Sequence, residues 1–127
     1  MDENFCKKVL YKDLLFSTED IEKLEIFSKM VKDFNQNYNI ISKSTESTIW
    51  SRHILDSAQI IKFINFSERS SLSDFGTGAG FPGIVISIFN KNKRFHVKLY
   101  EKSPVKCQFL RKLVGKLEIQ AEIIENN

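Results

Sequence analysis

Four of the five glycines in this 127-residue chain fall in one short stretch, Asp74-Phe75-Gly76-Thr77-Gly78-Ala79-Gly80-Phe81-Pro82-Gly83. Glycine reaches backbone conformations closed to other residues and lets a second group approach the main chain. The flanks of this cluster limit the fold. Leu72–Phe75 reads as a short strand stopped by Gly76, and Ile84–Phe89 continues as a helix until Asn90-Lys91-Asn92-Lys93 breaks it. Phe95, Val97 and Leu99 then alternate with His96, Lys98 and Tyr100, the period of a second strand that ends at Glu101. Ser103-Pro104 opens a further helix with a capping hydroxyl and a proline at the first helical position. That helix runs to about Leu117, although Gly115 inside it costs about 1 kcal/mol against alanine and favours fraying. Ala121–Glu125 reads as a third strand. The order strand, helix, strand, helix, strand is the opening half of a doubly wound α/β sheet.

The residues before this unit read as helical. Ser17 and Asp20 have capping-box spacing, and Ile21, Leu24, Phe27, Val31 and Phe34 recur at steps of three and four on one face. Asn35-Gln36-Asn37-Tyr38-Asn39 ends that helix, and a shorter one precedes it around Phe5–Leu14. A second helical region is expected from about Glu46 to Phe66, with Ile49, Trp50, His53, Ile54, Ala58 and Ile61 sharing a face. Trp50 reads as core rather than as a platform for a base. These patterns divide the chain into an N-terminal helical region, 1–66, and an α/β unit, 67–127.

A glycine loop after the first strand and an acid after the second make a nucleoside site. Glu101 stands eighteen residues after Gly83, where a carboxylate can accept hydrogen bonds from two ribose hydroxyls. Two frames fit the loop. Gly78, Gly80 and Gly83 match the dinucleotide fingerprint, but that frame starts late after the strand and encloses Pro82. Gly76, Gly78 and Gly80, with Asp74 two residues ahead, match the version that cradles the amino-acid part of S-adenosylmethionine. A glycine-rich turn without a ligand is the plainer alternative.

Charge is distributed unevenly. From Lys91 to Lys116 there are nine basic residues and one acid, Glu101, so this segment carries +8 of a net +3 and the remainder carries −5. Such a segment is suited to meeting a polyanion, or is simply a solvated helix face. The two cysteines, Cys6 and Cys107, have neither metal-type spacing nor the number for a disulfide framework, so no metal is expected. No apolar run approaches the ~20 residues of a membrane span. The N-terminus, Met1-Asp2-Glu3-Asn4, lacks the basic start and apolar core of a signal peptide. A reduced, cytoplasmic protein is expected.

The motif Asp74-x-Gly-Thr-Gly-x-Gly-x-Pro-Gly83 resembles the first motif of the 16S ribosomal RNA guanine-N7 methyltransferases, the small-subunit methyltransferase G or glucose-inhibited division protein B family. Arg52-His53-Ile54-Leu55-Asp56-Ser57, Tyr38-Asn39-Ile40 and Lys102-Ser103-Pro104-Val105-Lys106 resemble further segments of it, so the likeness spans roughly Thr18 to Glu125. The resemblance implies N-terminal helices followed by the first half, about three parallel strands, of a Rossmann-like class I methyltransferase sheet. It implies S-adenosylmethionine as cofactor, with Gly76 and Gly78 against its methionine part, Phe81 lining the pocket and Glu101 holding the ribose. Asp74 would brace the loop from beneath, and His53 and Asp56 would face the cleft, with a structural role for His53 the competing reading. Guanine N7 carries no proton, so the implied reaction needs no general base and no catalytic residue is named.

The family's chains continue past the third strand with motifs for the adenine and the target base, and here the sequence ends at Glu125-Asn126-Asn127. A C-terminally truncated member, inactive alone, is therefore expected, with Leu72–Phe75 as an exposed edge. Its partners would be 16S ribosomal RNA or the small ribosomal subunit, and a second chain completing the sheet. The competing functions are a fragment of a dinucleotide-binding oxidoreductase and a non-catalytic RNA- or partner-binding remnant.

Overall fold

The computed structural model describes residues 1–126. Its elements are α1 (Glu3–Lys12), α2 (Thr18–Asn35), α3 (Lys43–Glu46), a π-helical turn (Trp50–Leu55), α4 (Asp56–Ala58), a 3-10 turn (Gln59–Phe63), β1 (Ser70–Phe75), α5 (Gly83–Phe89), β2 (Phe95–Glu101), α6 (Pro104–Leu117) and β3 (Ala121–Glu125). Local signals set most boundaries. The Ser17 hydroxyl accepts from Asp20 N–H and the Asp20 carboxylate accepts from Ser17 N–H, closing the expected capping box of α2. The Ser103 hydroxyl accepts from Lys106 N–H and starts α6 at Pro104. Helix α6 runs through Gly115 and ends at Leu117, with Glu118 in the left-handed conformation at φ 53°.

The helical region expected from about Glu46 to Phe66 is helical from Trp50 to Phe63, but it changes winding twice, from π through α to 3-10. The π-helical turn falls on Trp-Ser-Arg-His-Ile-Leu, and the wider winding lets Trp50, Ile54 and Leu55 all point inward. A regular 3.6-residue period could not anticipate Leu55 beside Ile54 on the buried side.

The three strands are parallel and ordered β1-β2-β3. Phe95, Val97, Leu99 and Glu101 of β2 are buried, and His96, Lys98 and Tyr100 between them are not. Gly83, which opens α5, packs on Leu99 and Asp74, while Gly80 just before it packs beside Leu110 of α6. Helices α5 and α6 thus cover the same face of the sheet. The residues of α5 from Gly83 to Ile88 are all buried, because α2 packs on its outer side as well. One apolar cluster runs from Cys6 and Leu10 through Phe27 and Ile54 to Leu99 and Leu113. The opposite face of the sheet carries the cross-strand row Phe75, Tyr100 and Ile124. Phe75 is 72% exposed there, with its ring stacked on Tyr100 at 4.6 Å.

Candidate active site

The loop that leaves β1 turns back over β2. Gly76 and Thr77 N–H both donate to Tyr100 C=O, at 2.9 and 3.2 Å, and anchor the turn at the C-terminal end of the strands. Gly76, Gly78 and Gly80 all have positive φ, 68°, 58° and 103°. The four glycines then divide by what surrounds them. A Cβ on Gly76 or Gly78 would meet no atom within 4 Å, so the outer side of the loop is open. A Cβ on Gly80 would run into Ile84, and one on Gly83 into Leu99 and the Asp74 carboxylate. The first two positions leave room for another molecule; the last two let α5 sit close on the sheet.

Asp74 holds the loop from below. Its Oδ2 accepts from Thr77 Oγ1 at 2.6 Å and from Gly83 N–H at 3.0 Å. Burial pushes its carboxyl above the usual range, and the Thr77 and Gly83 donors oppose that push. Glu101 faces the loop from β2. Its Oε1 accepts from Gly78 N–H and its Oε2 from Ser103 N–H, both at 3.0 Å. Burial works against the Glu101 charge. The N–H groups of Ser103 and Gly78, the Lys106 ammonium and the Lys102 N–H together outweigh it and hold the carboxyl below the usual range. An ionised acceptor therefore sits over the open glycines at neutral pH.

Phe81 turns toward the helical region. Its ring packs on Phe27 of α2 at 5.0 Å and stacks on His53 at 5.0 Å and 27°. His53 Nε2 lies 2.8 Å from Thr45 Oγ1. Burial and then the Arg52 charge lower the imidazole pKa, with Asp56 opposing, so the ring is neutral at pH 7. His53 is thus engaged on its face by Phe81 and at its edge by Thr45, while Asp56 is exposed. Trp50 is buried, with Lys7 Nζ 5.0 Å from its ring centroid. Thr45 had no signal in the sequence, since its partner lies eight residues on, across the turn from α3 into the π-helical segment. Among the described residues, no group of three or more His, Cys, Asp and Glu side chains gathers as a metal site, and no helix is long and apolar enough to cross a membrane.

The family model of rRNA small subunit methyltransferase G, GidB, matches residues 20–127. The chain belongs to this family. Curated relatives described as ribosomal RNA small subunit methyltransferase G include one from Pelagibacter ubique, 40% identical over 131 residues, covering 100% of this chain and 61% of the relative. One from Rickettsia akari is 50% identical over 96 residues, 76% of this chain and 48% of the relative. One from Bartonella tribocorum is 40% identical over 129 residues, 97% of this chain and 59% of the relative. The chain thus spans between 48% and 61% of the length of these GidB-family relatives.

Proposed function

We propose that this chain forms the methyl-donor half of an S-adenosylmethionine-dependent methyltransferase acting on guanine N7 in 16S ribosomal RNA of the small subunit, in the cytoplasm. The observation that carries the reading is the Glu101 carboxylate at 3.0 Å from Gly78 N–H, across a loop whose Gly76 and Gly78 are open on their outer side. The relatives' names support ribosomal RNA as substrate, and the motif resemblance supports N7. The residues present fit the cofactor. Gly76 and Gly78 would take its amino-acid part, Glu101 its ribose hydroxyls, and the exposed part of Phe81 a side of the pocket. When bound, S-adenosylmethionine supplies the methyl group from its sulfonium. The chain's own part is to hold and orient, which suffices for a nitrogen that already carries a lone pair. The engagement of His53 by Phe81 and Thr45 supports a reaction without a histidine base.

Calorimetric titration of S-adenosylmethionine into the chain tests the site. Glu101→Ala should weaken binding by about 1.5–3 kcal/mol, the scale of hydrogen bonds to a charged group, and Gly78→Val should block it by bulk. Unchanged affinity in both variants removes the assignment, and preference for a nicotinamide dinucleotide would favour the oxidoreductase reading. These 127 residues, which span 61% of the Pelagibacter ubique relative, are further proposed to hold the donor without turning over RNA, because the resemblance places the adenine-side acid and the pocket for the target base after the third strand. A second polypeptide completing the sheet belongs to the same proposal. The check is methyl transfer to small subunits lacking the modification, with and without the remaining segment of a relative added in trans. Turnover by the chain alone, at a full-length relative's rate, overturns it.

A further inference from the structure

The groove between the C-terminal half of α2 and the N-terminal half of α6 has no part in the methyl-donor site. Met30, Asp33, Phe34 and Tyr38 line one wall and Val105, Gln108, Phe109 and Lys112 the other, around about 480 Å³. Its floor is aromatic. Phe34 packs on Phe109 at 4.5 Å, and Tyr38 stacks on Phe34 at 5.0 Å with only 24° between the rings. Tyr38 nevertheless leaves 55% of its surface exposed, and Phe34 is stacked on one side of its ring.

That exposure is built into the turn. Asn35 is 1% exposed, and its Oδ1 accepts from Ile40 and Ile41 N–H at 2.8 and 3.1 Å while its Nδ2 donates to Glu46 Oε2 at 2.8 Å. A buried side-chain clamp of this kind fixes the path of residues 36–39 and presents Tyr38 at the groove rather than folding it into the core. The charge beside it is one-sided. Helix α6 carries Lys106, Arg111, Lys112 and Lys116 and no acid. Gln108, Lys112 and Lys116 follow one another at intervals of four, on one side of the helix.

We propose that this groove is a stacking site for one unpaired, amino-bearing base of single-stranded RNA. Tyr38 and Phe34 form the platform, Asp33 and Gln108 meet the base edge, and Lys112 with Lys116 holds the flanking phosphates. An exposed aromatic face beside a line of cations is the combination that binds single-stranded nucleic acid, with stacking tolerant of sequence and cations tracking the backbone. Asp33 sets the orientation: its Oδ2 lies 3.9 Å from Lys29 Nζ in an exposed, solvent-screened pair, which leaves the carboxylate able to accept from an exocyclic amino group, so the base lies toward α2 and the backbone toward the cations of α6. Val105, which lines the groove, lies four residues after Glu101 in the chain. The inference rests on the reading of RNA as substrate but concerns a different surface.

The test is fluorescence-anisotropy titration of labelled single-stranded RNA of mixed sequence into the 127-residue chain, with calorimetry of S-adenosylmethionine on the same proteins. Tyr38→Ala should weaken RNA binding about tenfold, the scale of one lost base stack, and Tyr38→Phe should restore it. Lys112→Glu should weaken binding and reduce its salt dependence. Methyl-donor affinity should not change in any of the three variants, and Tyr38→Phe, which keeps the stack on Phe34, should keep the thermal midpoint as well. RNA binding insensitive to Tyr38 but sensitive to Lys112 would mean a merely electrostatic surface and overturns the proposal, as does failure of the unaltered chain to bind RNA. Tyr38-dependent RNA binding by a chain with no affinity for S-adenosylmethionine would leave the groove standing and remove the proposed function instead.

Discussion

A methyl group added at Gly83 would run into Leu99 and the Asp74 carboxylate, whereas one added at Gly78 would meet open space. The two positions should therefore respond differently to the same substitution. Gly83→Ala gains helix propensity but forces atoms into a packed interface, a net loss on the order of 2 kcal/mol. Gly78→Ala pays only for a side chain in the left-handed region, about 1 kcal/mol. Urea unfolding of the two variants checks the order, and equal losses would mean that the close approach of α5 to the sheet is not what Gly83 supplies. His53 makes a prediction in pH. Its pKa is lowered in the folded chain, so below the ordinary imidazole value near 6.5 the unfolded state takes up the proton more readily. The stability linked to neutral His53 is fully present above that value and is lost as pH falls toward the folded pKa. Unfolding free energies between about pH 7.5 and 5.5 should fall more steeply with acid in the unaltered chain than in His53→Gln. Parallel curves would show that protonation costs nothing at this contact.

The elements are held together by a few polar fasteners. Asp20 closes the capping box of α2 and also accepts from Lys91 Nζ at 2.6 Å, while Lys91 donates to Ile88 C=O near the end of α5. One buried carboxylate thus ties the start of α2 to the end of α5. Lys91 is more than half exposed, so solvent screens the pair and the cap carries most of the value. Asp20→Ala should cost about 1–2 kcal/mol and lower the thermal midpoint, and Lys91→Ala should cost less. A larger loss in Lys91→Ala would reverse that apportionment. Two members of the basic segment are engaged within the chain. Lys91 belongs to the interior fastening, and Arg111 lies 3.5 Å from Glu125 of β3. Lys106 and Lys112 are the members whose reversal to glutamate should reduce RNA affinity and its salt slope.

At the scale of the molecule, the sheet has one covered face. Parallel sheets are normally packed on both, and here the row Phe75, Tyr100 and Ile124 lies on the face opposite α5 and α6, with Phe75 72% exposed. Phe63, 87% exposed, adds another apolar side chain to the surface, and among the described residues β1 pairs on one side only, with β2. Open apolar faces and unpaired edges drive association. Sedimentation velocity should show the isolated chain self-associating with concentration, and the double variant Phe63→Glu, Phe75→Lys should shift it toward monomer. A chain that sediments as a monomer at every concentration would show that this face tolerates water.

Strand and helix order was legible because its signals are local. The capping pairs at Ser17 and Ser103, the alternation from Phe95 to Tyr100 and the glycine run each act between residues a few positions apart, and the observed elements follow them within a residue or two. Glu101 opposite the loop was legible for the same reason, since strand, turn and helix lengths between Gly83 and Glu101 leave little freedom. The tertiary structure alone decided the partners that chain distance hides. Asp20 meets Lys91 seventy-one residues away, Phe81 lies against both Phe27 and His53, and Asn35 clamps the turn that exposes Tyr38. None of these residues carries a pattern that names its partner. A buried polar group must find a hydrogen bond and an apolar ring must find a packed neighbour, but which one is fixed by how the helices dock on the sheet.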